Sequence, residues 1–303
     1  MPLRIALIGA GHMGNIHLQK LLSMEDVQVA AIADADETLA GNITEKYSIP
    51  FFSDYTKALN NLNGVVIASS TETHYETAKF FLENNIHVFI EKPITSDADD
   101  ASDLVKLADI KNMILQIGHL ERFNPAYKKA VPFVQNPLFI EARRTSNFTG
   151  RSSNIDVVLD LMIHDIDLVL SIAKSDVKDV RAQGVSFVGD TLDMVNTTIE
   201  FMNGCVANLF ASRIAAQRER AISIFEKDRN LYIDLLNGKY VCNIKDKNGN
   251  IETTEHVSEK IDSVMDELSE FISSIKGEKT PSVTGKDGLK ALILADRIKE
   301  NIV

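Results

Sequence analysis

The chain has 303 residues, of which 45% are hydrophobic and 25% charged, an ordinary globular balance that excludes general disorder and leaves room for about two domains of ~100–200 residues each. Its 43 acidic and 32 basic residues give a formal net charge of −11, which argues against general nucleic-acid binding, a task for clustered positive charge. No membrane span is expected, since no apolar run approaches ~18 residues, and no signal peptide, since MPLRIALIGAG lacks the charged region, long apolar region and cleavage site of one; with only two cysteines, Cys205 and Cys242, the expected compartment is a reducing cytoplasm.

The first 120 residues alternate strand and helix signals. Leu3–Gly9 is an apolar run ending in glycine, followed by a helical pattern over His12–Met24. Val27–Ala33 is a second strand that stops at Asp34. A helix near Glu37–Tyr47, a short strand near Phe51 and a helix over Tyr55–Leu62 come next. Val65–Ser69, Ile86–Ile90 and Met113–Gly118 read as further strands, and Thr73–Asn84 and Asp97–Ala108 as helices between them. Apolar strands separated by helices predict an α/β Rossmann unit, a doubly wound parallel sheet covered on both faces.

The pattern then changes. One long helix, Asn154–Ala173, precedes strand-like stretches at Val180–Val188, Met194–Phe201, Cys205–Ile214, Ala221–Phe225 and Leu231–Ile244. Asn203–Gly204, Asn237–Gly238 and Asn248–Gly249 are hairpin signals. Helices near Ile261–Lys276 and Gly288–Ile302 close the chain. The expectation is a nucleotide-binding domain over 1–120 and an α+β domain over 121–303 with an open, mainly antiparallel sheet.

Gly9-Ala10-Gly11-His12-Met13-Gly14 is a G-x-G-x-x-G sequence between the first strand and the first helix. Gly9 permits the tight turn, Gly11 lets backbone approach a pyrophosphate, and Gly14 lets helix and strand pack closely. The helix N-terminus adds N–H groups and partial positive charge. Asp34, 20 residues beyond Gly14, suits the adenosine ribose hydroxyls and would repel a 2′-phosphate. The expected cofactor is therefore NAD rather than NADP. A plain glycine turn with a capping aspartate is the blander alternative.

Glu91-Lys92-Pro93 follows the fifth apolar strand, where ligands of open parallel sheets bind. Lys92 can hydrogen-bond a substrate oxygen or move a proton; an exposed charged turn explains the tripeptide equally well. Asp160 and His164 are spaced i, i+4 and share a helix face. Histidine suits removal of a hydroxyl proton, and a carboxylate would orient it. From periodicity alone, a solvated stripe of Asp156, Asp160, His164, Asp167 and Ser171 is the simpler reading. Two ligands on one face and no recognised histidine spacing predict no metal site.

Taken together, GAGHMG at 9–14, ASSTETH at 68–74, Glu91-Lys92-Pro93 and DLMIHDID at 160–167 resemble the Gfo/Idh/MocA oxidoreductase family across nearly the whole chain. The resemblance implies a sugar or polyol dehydrogenase with Lys92, Asp160 and His164 as reaction residues. Gly9, Gly11, His12, Met13, Gly14, Asp34, Ser69, Ser70, His74, Glu91 and Lys92 would then line the cofactor. It also implies a dimer or tetramer formed through the C-terminal sheet, with the last helix packing near the first domain. GHLERFNPA at 118–126 and FTGR at 148–151 are similar to the UDP-N-acetylglucosamine 3-dehydrogenase branch. That finer likeness implies a nucleotide-sugar substrate contacted by Arg122, Asn124 and Arg151, although surface salt bridges would equally explain the arginines. Ser70-Thr71 stands where many relatives carry Thr-Pro. A dehydrogenase of another polyol such as an inositol, or a non-catalytic NAD- or sugar-binding regulator, uses the same fold.

Overall fold

A computed structural model describes residues 1–150, 155–258 and 262–303, with backbone alone for 41–44. The chain divides into two compact units, Met1–His119 with Val264–Leu289, and Leu120–Ser263 with Lys290–Val303. The segment 264–289 therefore belongs with the first unit, whereas the sequence assigned it to the second.

In the first unit the strands β1 (Leu3–Ile8), β2 (Val27–Ala33), β3 (Phe51–Phe52), β4 (Gly64–Ile67), β5 (His87–Glu91) and β6 (Leu115–Gly118) form a parallel sheet of order β3-β2-β1-β4-β5-β6. Helices α1 (His12–Leu22), α2 (Ala40–Tyr47), α3 (His74–Glu83) and α4 (Ala98–Lys111) connect them. The order reverses between β1 and β4, and the crevice beyond their carboxyl ends is the ligand site of such sheets. The helix expected over Tyr55–Leu62 is a single 3₁₀ turn, Tyr55–Ala58, because only Ala58 and Leu62 of this stretch are buried apolar residues.

The second unit opens with α5 (Pro125–Ala130) and β7 (Phe139–Thr145), then a π-helical turn (Val158–Met162) running into α6 (Ile163–Ala173). Strands β8 (Val177–Val185), β9 (Met194–Phe201), β10 (Val206–Ser212), β11 (Glu219–Phe225), β12 (Arg229–Asp234), β13 (Lys239–Lys245) and β14 (Ile251–Val257) follow. They form an open sheet of order β14-β13-β12-β11-β7-β10-β9-β8, antiparallel except where β7 lies parallel to β10. Alternate residues of the central strands, such as Ile140, Ala142, Ala207, Leu209, Ile222 and Ile224, point into one core with Ile163, Ile166 and Val169 of α6, the period of two expected of a half-covered sheet. The stretch read as one strand over Leu231–Ile244 is two, turning at Gly238, whose φ is +64°.

Two helices end the chain, α7 (Ser263–Ile275) and α8 (Gly285–Glu300). Leu268, Phe271 and Ile272 of α7 complete the first unit's core beside Ile5, Leu7 and Phe89. The unit division falls inside α8. Its first turn lies against Leu115 and Ile117, while Ala291, Leu294, Ala295 and Ile298 join the second unit's core. The helix expected near the first domain is therefore shared, its first turn with the first unit and its apolar residues past Leu289 with the second core. Among the described residues no helix is long and apolar enough to cross a membrane.

Candidate active site

The glycine motif is built by close backbone contact. Gly9 has φ +91°, a conformation that disfavours any side chain. A Cβ on Gly9 would also stand 2.4 Å from the Ser69 nitrogen, and one on Gly14 would stand 1.9 Å from the Gly9 carbonyl oxygen. The Asp34 carboxylate accepts the Ala10 N–H at 2.6 Å and the Asp36 N–H at 2.9 Å, so it pins the glycine turn from the end of β2. The N-terminus of α1 has no side-chain cap and no acid in its first turn, and Gly11 faces open space. Exposed His12 and half-buried Met13 begin the helix. This end of α1 suits a pyrophosphate, which supplies the acceptors that its first N–H groups need.

A chain of contacts leads from this turn to Lys92. Ser69, against Gly9, hydrogen-bonds Thr73 through their hydroxyls at 2.7 Å, and Thr73 donates to the Ser70 carbonyl at 2.8 Å. His74 Nε2 lies 3.2 Å from the Ser69 carbonyl oxygen and Nδ1 2.9 Å from that of Pro93. Burial pulls the His74 pKa below its ordinary value, against the pull of those carbonyls. His74 is 1% exposed and braces two loops through these carbonyls. Glu91 is likewise turned inward. One carboxylate oxygen lies 2.6 Å from His17 Nε2, and the other accepts the Lys92 peptide N–H at 3.3 Å. Half-buried Lys92 therefore stands between two anchored points, its own N–H and the Pro93 carbonyl, across a cis Lys92–Pro93 bond.

Asp160 and His164 belong to the second unit. The π turn carries Asp160, and His164 sits in the first turn of α6. Such wide turns recur at functional sites, and the added residue offsets everything before it from the faces of α6. Asp156 caps this turn, accepting the Val158 and Leu159 N–H groups at 3.0 and 3.1 Å. The solvated-stripe reading fails. His164 and Asp167 are buried, Asp160 is half-buried, and Ser171 bonds the Leu168 carbonyl and the Tyr127 hydroxyl.

Arg122 is committed to Asp167, donating through Nε at 2.7 Å and Nη2 at 2.9 Å. Asn124, expected as a substrate contact, is 2% exposed. Its oxygen caps α5 at the Ala126 N–H and its amide donates to the Leu235 carbonyl at 2.8 Å. It holds the backbone through one bond at each end of its side chain. Arg151 lies outside the described residues. Sequence reasoning missed a buried cluster in which Arg144 donates to Asp165 and Glu121 at 2.8 Å each, with Arg220 on Glu121 at 3.3 Å. Burial opposes the Arg144 cation, but Asp165 and Glu121 more than offset this and raise its pKa.

Comparison with known proteins shows which family the chain belongs to. Residues 3–119 match the oxidoreductase family with an NAD-binding Rossmann fold, and residues 117–231 match the Gfo/Idh/MocA C-terminal domain. The chain belongs to the Gfo/Idh/MocA family. It is an oxidoreductase, and its cofactor is NAD. It is 32% identical to the UDP-N-acetylglucosamine 3-dehydrogenase of Acidithiobacillus ferrooxidans over 98% of this chain and 96% of that one. The solved structure of that enzyme superposes with a TM-score of 0.92, covering 100% of this chain and 98% of the other at 31% identity. The myo-inositol 2-dehydrogenase of Thermotoga maritima is 26% identical over 99% of this chain and 96% of its own.

Proposed function

We propose that the protein oxidises a sugar hydroxyl to a ketone, and that its substrate is a UDP-linked N-acetylhexosamine oxidised at C3. What carries the substrate assignment is the near-full-length similarity to the Acidithiobacillus enzyme. Lys92, Asp160 and His164 are all present on a prepared backbone. Gly9, Gly11 and Gly14, with the N–H groups of His12 and Met13, would hold the pyrophosphate of NAD. Asp34 would take the ribose, and Ser69 and Ser70 would line the pocket, with Glu91 and His74 behind them. Bound NAD supplies a hydride acceptor. His164 removes the hydroxyl proton, Lys92 stabilises the developing alkoxide with its positive charge, and Asp160 orients the imidazole or a sugar hydroxyl. Arg151 contacts the substrate's phosphates, and Arg122 is held by Asp167. Copies associate through the uncovered face of the C-terminal sheet, in the cytoplasm.

The Thermotoga relative favours a second reading, a cyclic polyol as substrate. Incubation with NAD+ and a panel of UDP-N-acetylglucosamine, UDP-N-acetylgalactosamine, myo-inositol and scyllo-inositol, followed by absorbance of the reduced cofactor, separates the two. Turnover on inositols alone would remove the nucleotide-sugar assignment. Lys92→Ala and His164→Ala are each expected to keep NAD affinity and lose about 10²–10⁴-fold in turnover. Turnover retained in both variants would overturn the residue assignment.

A further inference from the structure

Two neighbouring strands of the second sheet end their inward-facing apolar series in a buried arginine. On β7 the series is Ile140, Ala142 and then Arg144. On β10 it is Ala207, Leu209 and Ala211, and Arg213 comes next in the same alternation, just past the strand. Ala211 and Arg144 lie opposite one another in the register of the two strands. Arg144 is 2% exposed and Arg213 4% exposed. The two arginines hold the corner of chain that carries Asp160 and His164, one at each end of it.

Arg213 takes the near end. Its Nε donates to Asp193 at 2.6 Å, its Nη2 to the Thr191 hydroxyl at 2.6 Å and its Nη1 to the Ile155 carbonyl at 2.5 Å. Thr191 and Asp193 lie between β8 and β9, where the Asp193 carboxylate also accepts the Phe187 and Val188 N–H groups at 2.7 Å each. The Leu192 carbonyl of the same loop accepts the Val157 N–H at 2.9 Å. Residues 155–157 lead directly into the π turn Val158–Met162. Arg144 takes the far end, donating through Nε at 3.0 Å and Nη2 at 2.8 Å to Asp165, the residue after His164.

A π turn holds an extra residue that an α-helix would expel, so it persists only where its surroundings fix it. A slip of the lead-in by one residue, back to α geometry, would turn Asp160 by ~100° about the axis relative to His164. An apolar side chain at position 213 would fill the core, since exchanging a buried ion pair for apolar groups is often neutral to stability. It would not hold a carbonyl. The guanidinium fork meets a carboxylate, a hydroxyl and a main-chain oxygen from one rigid plane, and so fixes distances that packing leaves loose.

We propose that Arg213 is a positioning residue for Asp160 and His164, fixing the register of the π turn by tying the Ile155 carbonyl to the loop between β8 and β9.

The proposal rests on the roles given to Asp160 and His164 above, so two of its readouts do not need turnover. In Arg213→Lys a cation stays beside Asp193, but a single ammonium cannot hold Asp193, Thr191 and Ile155 together. Hydrogen exchange at the Val157, Val158 and Leu159 amides should accelerate about tenfold relative to the Ile222 and Ile224 amides of β11. In protein labelled at the histidine ring nitrogens, the His164 shifts, assigned with His164→Gln, should move, while those of His17 and His74 in the first unit stay. On the working substrate kcat should fall about 10–10²-fold with the KM for NAD unchanged. Asp193→Asn is the control, because it weakens the ion pair but leaves the Ile155 contact. It should lower the urea midpoint and keep the His164 shifts and most of kcat. Unchanged exchange, unchanged His164 shifts or wild-type kcat in Arg213→Lys would each overturn the proposal, as would equal losses of kcat in Arg213→Lys and Asp193→Asn. If Arg213→Lys does not fold, Thr191→Val, which removes one arm of the fork, takes its place, and wild-type exchange and shifts there sink the idea. If the wild type turns over none of the sugars, the function assignment fails, and the exchange and imidazole measurements still judge the positioning.

Discussion

Arg122 and Asp167 show how one partner changes the meaning of a residue. An arginine in a polar segment reads as a phosphate contact, but here it neutralises an aspartate that is 1% exposed. Removing one member of a buried pair leaves a charge without compensation, at a cost of about 3–5 kcal/mol. Arg122→Ala is therefore expected to lower the urea midpoint substantially, with loss of activity following loss of folded protein. A rise in KM with an unchanged midpoint would return Arg122 to the substrate. Asn124 illustrates the same point without charge, because its oxygen caps α5 and its amide meets the Leu235 carbonyl.

Among the elements, α3 does more than cover the sheet. Through His74 it ties the loop after β4 to the turn after β5, two of the strand ends that frame the ligand crevice. The folded His74 pKa lies below the ordinary 6.5, with burial the main cause. When pH falls through ~6.5 the unfolded chain takes up this proton first, so the stability His74 contributes is present above that pH and is lost as pH drops toward the folded value. Urea midpoints measured downward from neutral pH should fall, and His74→Gln should flatten that part of the curve. An identical slope in the variant would show that other groups are responsible. The π turn before α6 matters similarly, since it sets the offset between Asp160 and His164 that straight helical counting ignores.

At the scale of the whole molecule, the first unit is not a continuous stretch of chain. Leu268, Phe271 and Ile272 of α7 bury themselves in its core. At about 1.5–3 kcal/mol for each fully buried large apolar side chain, α7 contributes an amount comparable with the ~5–15 kcal/mol net stability of a typical protein. A fragment of residues 1–119 is therefore expected to lack a cooperative urea transition. A sharp transition near the midpoint of the full chain would refute this dependence on α7.

Periodicity, glycine placement and turn chemistry act locally, and they made the strand–helix alternation, the G-x-G-x-x-G turn and the three Asn-Gly turns legible in the amino-acid sequence. Lys92, Asp160 and His164 stood out as candidates there as well. Strand β7, the centre of the second sheet, did not stand out, because Arg144 occupies an inward position and reads as surface until Asp165 and Glu121 meet it. Strand β14 was hidden because it is an exposed edge with little apolar alternation. Local preference is encoded by neighbours in sequence and so determined the elements. Burial and charge pairing depend on residues that are not neighbours in sequence, such as Arg122 and Asp167 or His17 and Glu91, so only the tertiary structure decided which polar side chains hold the fold and which remain for chemistry.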